Sequence, residues 1–182
     1  IAFPLLAGLL VFFLRGNAAR NMALAATLIE FLLSLGALAQ YRLNPASGLL
    51  AMDCTWVASL GIHFSVNMDG LAVLLVLLTT FLLPLIVLSS YKNTYENAHS
   101  FYALMLSMQA ALVGVFVAQD GFLFYVFWEL ALIPIYFICL LWGGENRGFI
   151  TFKFFVYTLF GSLFMLIGLI YLYNHTNVEG LK

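Results

Sequence analysis

Apolar residues run through this chain in long blocks, and polar residues gather in the gaps between them. A helix rises about 1.5 Å per residue and needs about 20 apolar residues to cross a hydrocarbon layer roughly 30 Å thick. Blocks 22–40, 70–90, 101–118, 122–142 and 149–173 have that length. A sixth block, 1–14, precedes them and reaches only about 21 Å. The chain starts at Ile1 without a methionine, no basic segment opens the block and no small-residue cleavage site follows it. It reads as a helix lacking its first turns rather than as a signal peptide. The tail 174–182 is polar and leads to no further span. The expectation is a single membrane domain over 1–182, truncated at both ends.

The long connection 41–69 follows a different rhythm. Ile62-His63-Phe64-Ser65-Val66-Asn67 alternates apolar and polar with period two, the pattern of a half-buried strand. Trp56 and Val57 are placed to begin a partner strand with 59–61 as the bend, giving a surface hairpin over 56–69. Asp69 then stands where an N-cap belongs, ahead of the third helix. The fold class expected is an all-α membrane protein with about six transmembrane helices and a short extracytoplasmic β-hairpin.

Composition removes the alternatives. The chain is 64% apolar and 8% charged, with a mean hydropathy of +1.06. Soluble domains run at roughly 45–50% apolar and about 25% charged. The net charge is −1 and the basic residues stand singly, so no patch for nucleic acid exists. Cys54 and Cys139 make neither a disulfide framework nor a metal pair. No His, Cys or acidic residues stand at metal-ligand spacing, and no phosphate loop, nucleophile elbow or dinucleotide fingerprint occurs. No catalytic residue is expected. Arg15, Arg20, Lys92, Arg147 and Lys153 fall on one side of the spans, against Arg42 and Lys182 on the other. That bias puts the three short basic loops in the cytoplasm and the long connection outside.

The informative residues are those that are costly in oil. Glu129 lies about nine residues from the outer end of the fifth block, roughly 13 Å deep. An acid at that depth costs about 2.5–3.5 kcal/mol and normally faces a partner or a wet cavity. Burial favours the neutral form of such a group and a nearby cation favours the charged form, so a balance between them suits a proton relay. Pro134, five residues on, removes an N–H and crowds the carbonyl of Leu130, so a kink with a free carbonyl is expected there. An acid paired for structural reasons beside a tolerated proline is the alternative. Glu30 in the second block is either a further relay group or a solitary structural acid. Lys153 near the start of the sixth block snorkels to the interface or helps deliver protons. His63, His99 and His175 read as merely solvated. Tyr41, Trp56, Tyr91, Trp142 and Tyr171 read as interfacial anchors, and Gly161 with Gly168 as a narrow packing face on the last helix.

Phe127-Trp128-Glu129, Leu132-Ile133-Pro134-Ile135-Tyr136 and Leu141-Trp142-Gly143 resemble the fifth helix of the M-type, or chain 4, antiporter-like subunit of respiratory complex I (NADH–quinone oxidoreductase). Lys153-Phe154-Phe155-Val156-Tyr157-Thr158 resembles the opening of that family's sixth helix. Gly61-Ile62-His63-Phe64 and Met68-Asp69-Gly70-Leu71 resemble its hairpin and third helix start. The resemblance implies a partial antiporter-like bundle within a longer subunit of inverted repeats. It makes Glu129 the relay acid of the first repeat, tuned by a lysine on a later helix beyond this chain. It also implies a multi-pass protein of the bacterial inner (cell) membrane, beside L-type and N-type antiporter-like chains. This chain binds no cofactor on that reading; NADH, FMN, iron–sulfur clusters and quinone belong to partner subunits. Three competing readings are a subunit of an Mrp-type cation/proton antiporter, the D subunit of a photosynthetic ferredoxin–plastoquinone oxidoreductase, and a purely structural subunit with Glu129 in a static pair.

Overall fold

The computed structural model describes residues 1–43, 50–57, 62–92 and 95–175 of the chain. In chain order the elements are α1 (Ala2–Phe13), α2 (Asn17–Leu43), β1 (Ala51–Val57), β2 (Ile62–Asn67), α3 (Gly70–Ser89) with a 3-10 turn at Ser90–Lys92, α4 (Ala98–Val117), α5 (Gly121–Trp142) and α6 (Arg147–His175). Helices α2 to α6 are long and apolar enough to cross a membrane, and α1 is shorter. The fold is a multi-pass helical membrane bundle with one small hairpin.

Two helices outrun their apolar blocks. α2 begins at Asn17 rather than 22 and reaches Leu43 rather than 40, and α6 spans Arg147–His175 rather than 149–173. Hydropathy falls where the hydrocarbon ends, but backbone hydrogen bonding carries the helix on into the polar layer. Charged side chains there find partners of their own, as where the Arg20 guanidinium lies 4.1 Å from the centre of the Tyr91 ring.

α4 is the centre of the bundle and packs against α1, α2, α3 and α5. Its buried residues, from Phe101 and Tyr102 to Val117, lie on every face, as expected of a helix apolar all round. Lipid is as apolar as leucine, so close backbone approach rather than hydrophobic drive holds such helices together. Ala7 of α1, with Ala19, Ala23 and Ala26 of α2, supplies that approach against Ala103 and Leu106 of α4. Hydroxyls add directional ties: Ser34 Oγ and Thr80 Oγ1 lie 2.8 Å apart between α2 and α3, and Ser90 Oγ and Tyr102 Oη 2.9 Å apart between the 3-10 turn and α4. α6, by contrast, buries only Thr151 and Ser162. Gly161 and Gly168 have open space around them, so the expected narrow packing face meets no neighbour among the described residues.

β1 and β2 pair antiparallel, from Ala51 opposite Asn67 to Val57 opposite Ile62, with an irregularity between Thr55 and Val57. The first strand starts at Ala51, not at the expected 56. It is exposed along nearly its whole length, so no alternation of burial marks it in the sequence. The bend expected at 59–61 lies outside the described residues. Asp69 caps α3, its Oδ1 accepting from the Ala72 N–H at 2.7 Å. The histidines are engaged rather than merely solvated. His63 Nδ1 lies 2.8 Å from Asp53 Oδ1, His99 meets the Phe12 ring edge-on, and His175 stacks on Tyr171.

Candidate functional site

The position of α5 is fixed at both ends. At its start Asp120, 4% exposed, accepts through Oδ1 from the N–H groups of Phe122 at 2.8 Å and Leu123 at 3.1 Å. Oδ2 of the same carboxylate accepts from the backbone N–H of His63 at 3.4 Å, and the Gln119 N–H donates to the Ser65 carbonyl at 2.9 Å. The hairpin therefore clasps the turn between α4 and α5. At the far end the Trp142 indole N–H donates to the Glu96 carbonyl at 3.0 Å, and its ring meets Phe101 edge-on.

Between these anchors, Leu123 and Phe127 stand one turn apart and are buried on one face of α5. The Phe127 ring lies over Gly114 of α4, where a side chain would overlap it, so the missing Cβ sets how closely the two helices approach. Tyr125 and Glu129, also one turn apart, occupy a different face. The Tyr125 hydroxyl interacts with the Glu129 carboxyl and with Ser162 of α6. Ser162 is buried, and its hydroxyl donates to the Leu159 carbonyl at 2.9 Å. Glu129 is half-buried, and its Oε1 is a buried atom without a hydrogen-bond partner. It sits eight residues past Gly121, hence about 12 Å into the helix and within its middle third.

The four residues singled out in the sequence do not converge. Pro134 is buried, and α5 continues across it as one helix, so the expected break is not a gap in the helix. Neighbouring helices allow such a proline in a membrane span. Lys153 is exposed, with its Nζ 5.0 Å from the centre of the Phe149 ring. It stands nine residues along α6 from Ser162, about 13 Å of rise, and among the described residues no cation pairs with Glu129. Glu30 is 7% exposed on α2, a helix that packs against α1, α3 and α4. Among the described residues no cluster of three His, Cys, Asp or Glu side chains stands ready for a metal. Tyr125 and Ser162 had no visible signal beyond the helical spacing of Tyr125 to Glu129. Ser162 reads in the sequence as a small neighbour of Gly161.

This architecture has relatives. A family profile described as NADH:quinone oxidoreductase/Mrp antiporter, transmembrane, matches residues 118–182, the part that carries Glu129. The chain is 39% identical to F(420)H(2) dehydrogenase subunit M of Methanosarcina mazei, over 98% of this chain and 37% of that protein. It is 41% identical to the chloroplastic NAD(P)H-quinone oxidoreductase chain 4 of Chlorokybus atmophyticus, over 92% of this chain and 33% of that one. The chain belongs to the M-type antiporter-like subunits of the complex I family. This M-type chain spans about a third of the length of those curated relatives. Its backbone matches a chain of respiratory complex I from Thermus thermophilus with bound NADH at a TM-score of 0.80 and 29% identity, covering 92% of this chain and 34% of the other.

Proposed function

We propose that this M-type chain forms part of the proton path of an NADH–quinone oxidoreductase, with Glu129 as the group that takes up and releases the proton. The observation that carries this reading is a mid-depth carboxyl with an unpartnered Oε1, beside the Tyr125 hydroxyl, which also meets Ser162 of α6. The outer faces of α5 and α6 are largely uncovered within this chain, which leaves room for a cation-bearing helix to dock beside the acid. Approach of a cation favours the charged carboxyl and expels the proton, and its withdrawal in the buried setting favours recapture. On this reading Lys153, near the start of α6, would be the group that passes protons inward from the cytoplasmic face.

On this reading electrons stay in partner subunits, which hold NADH, FMN, the iron–sulfur clusters and quinone. L-type and N-type antiporter-like chains lie alongside in a bacterial inner membrane. The test is Glu129→Gln in the assembled complex. Coupled proton pumping should fall strongly while assembly and iron–sulfur content persist; unchanged pumping stoichiometry refutes the relay. A second reading concerns the electron donor, because the M. mazei relative is named for F(420)H(2). Native purification followed by oxidation assays with NADH and with F(420)H(2) separates the two. Recovery with small antiporter subunits alone, without flavin or iron–sulfur partners, points to an Mrp-type exchanger instead.

A further inference from the structure

A second set of buried polar groups lies inside the bundle, on the α2 side of α4. Glu30 is the middle residue of α2, and its Oε2 is buried without a hydrogen-bond partner. Gln109 of α4 is fully buried, and both its Nε2 and its Oε1 lack partners. The two stand at one height. Ala26 of α2 and Met105 with Leu106 of α4 share an apolar cluster, and Glu30 and Gln109 follow about one turn further along helices that run in the same direction. Towards the hairpin the next layer is apolar again, with Val76, Val113 and Val117 packed together. Ser34 and Thr80 border the set with their hydroxyl pair.

A primary amide offers two donors and an acceptor, and leaving all of them unmet in a membrane interior is strongly disfavoured. The orphaned atoms on two facing helices need a small group that both donates and accepts, and a space of about one probe sphere suffices for it. We infer that α2, α3 and α4 enclose a water-binding site in which one or more waters bridge Glu30, Gln109 and the Ser34–Thr80 pair. Glu30 is its ionisable side chain. α1 and α3 carry none, and α4 carries only His99 and Tyr102, both at its basic end, with Tyr102 tied to Ser90. The site stands apart from Glu129 and does not depend on its role.

The test is radiolytic hydroxyl-radical labelling of the full-length protein in its native complex, in oxygen-18 water. Met105, 7% exposed and one turn from Gln109, is the reporter. Expected is oxygen-18 uptake at Met105 that drops several-fold in the Glu30→Leu/Gln109→Leu double variant. Absence of uptake in the unmodified complex, or equal uptake in the variant, overturns the inference. A density map of the unmodified complex that resolves waters gives the same answer without any variant. A peak within hydrogen-bonding distance of both side chains supports the site, and a direct Glu30–Gln109 hydrogen bond with no water between them refutes it.

Discussion

Gly114→Ala is the sharpest probe of how the bundle places its acid. An alanine Cβ at this position falls 2.5 Å from Phe127 Cγ and 2.6 Å from Cε1. Carbon atoms in contact settle at about 3.5–4.0 Å, so the ring or the helix must retreat by about 1 Å. Phe127 is 7% exposed, and the clash reaches the root of its ring rather than a flexible tip. Overpacking of this kind costs about 1–3 kcal/mol, which corresponds to roughly a 5- to 150-fold change in an equilibrium. Glu129 is two residues further along α5, so the same displacement moves its carboxyl relative to Ser162 of α6. The assay pairs thermal inactivation of the purified complex with coupled pumping, for Gly114→Ala, Phe127→Leu and the double variant. Gly114→Ala should lower both stability and pumping, and the smaller leucine should restore a good part of each. Wild-type behaviour of Gly114→Ala, or strictly additive losses in the double variant, refutes the claim that this contact sets the α4–α5 distance.

Further outcomes follow from the same geometry. Asp120→Ala removes the cap of α5 and the acceptor for the His63 N–H, at a cost of about 0.5–2 kcal/mol for the cap alone, and hydrogen exchange across Ile62–Asn67 should accelerate. Ser34→Val or Thr80→Val alone should destabilise by about 0.5–1.5 kcal/mol, because the hydroxyl left behind still donates to a carbonyl of its own helix; a double-mutant cycle on thermal stability measures the coupling between the two. Tyr125→Phe keeps the ring and removes the hydroxyl beside Glu129, so pumping should fall less than in Glu129→Gln while assembly is unchanged.

The membrane spans were legible because block length alone announces them, and β2 because its apolar and polar residues alternate, although all six are half-buried. β1 was largely hidden, since a strand exposed along its length leaves no burial rhythm to read. The outer turns of α2 were hidden as well, because Asn17, Arg20 and Asn21 end the apolar block before the helix ends. Of the site, Glu129 stood out by its charge in oil. Tyr125 and Gln109 did not, since a phenol or an amide within an apolar run looks like ordinary filling until its atoms are checked for partners. Where a polar side chain lands depends on which neighbour turns toward it, and periodicity does not record that.

The clasp between hairpin and helix turn also fixes an order of events. His63 lies 57 residues upstream of Asp120, the side chain it helps to hold. At about 5–20 residues per second of synthesis, the strand leaves the ribosome some 3–11 seconds before its bolt arrives. The latch is in place first, so α5 can be secured as soon as its leading end crosses the membrane, ahead of the later spans that must find it.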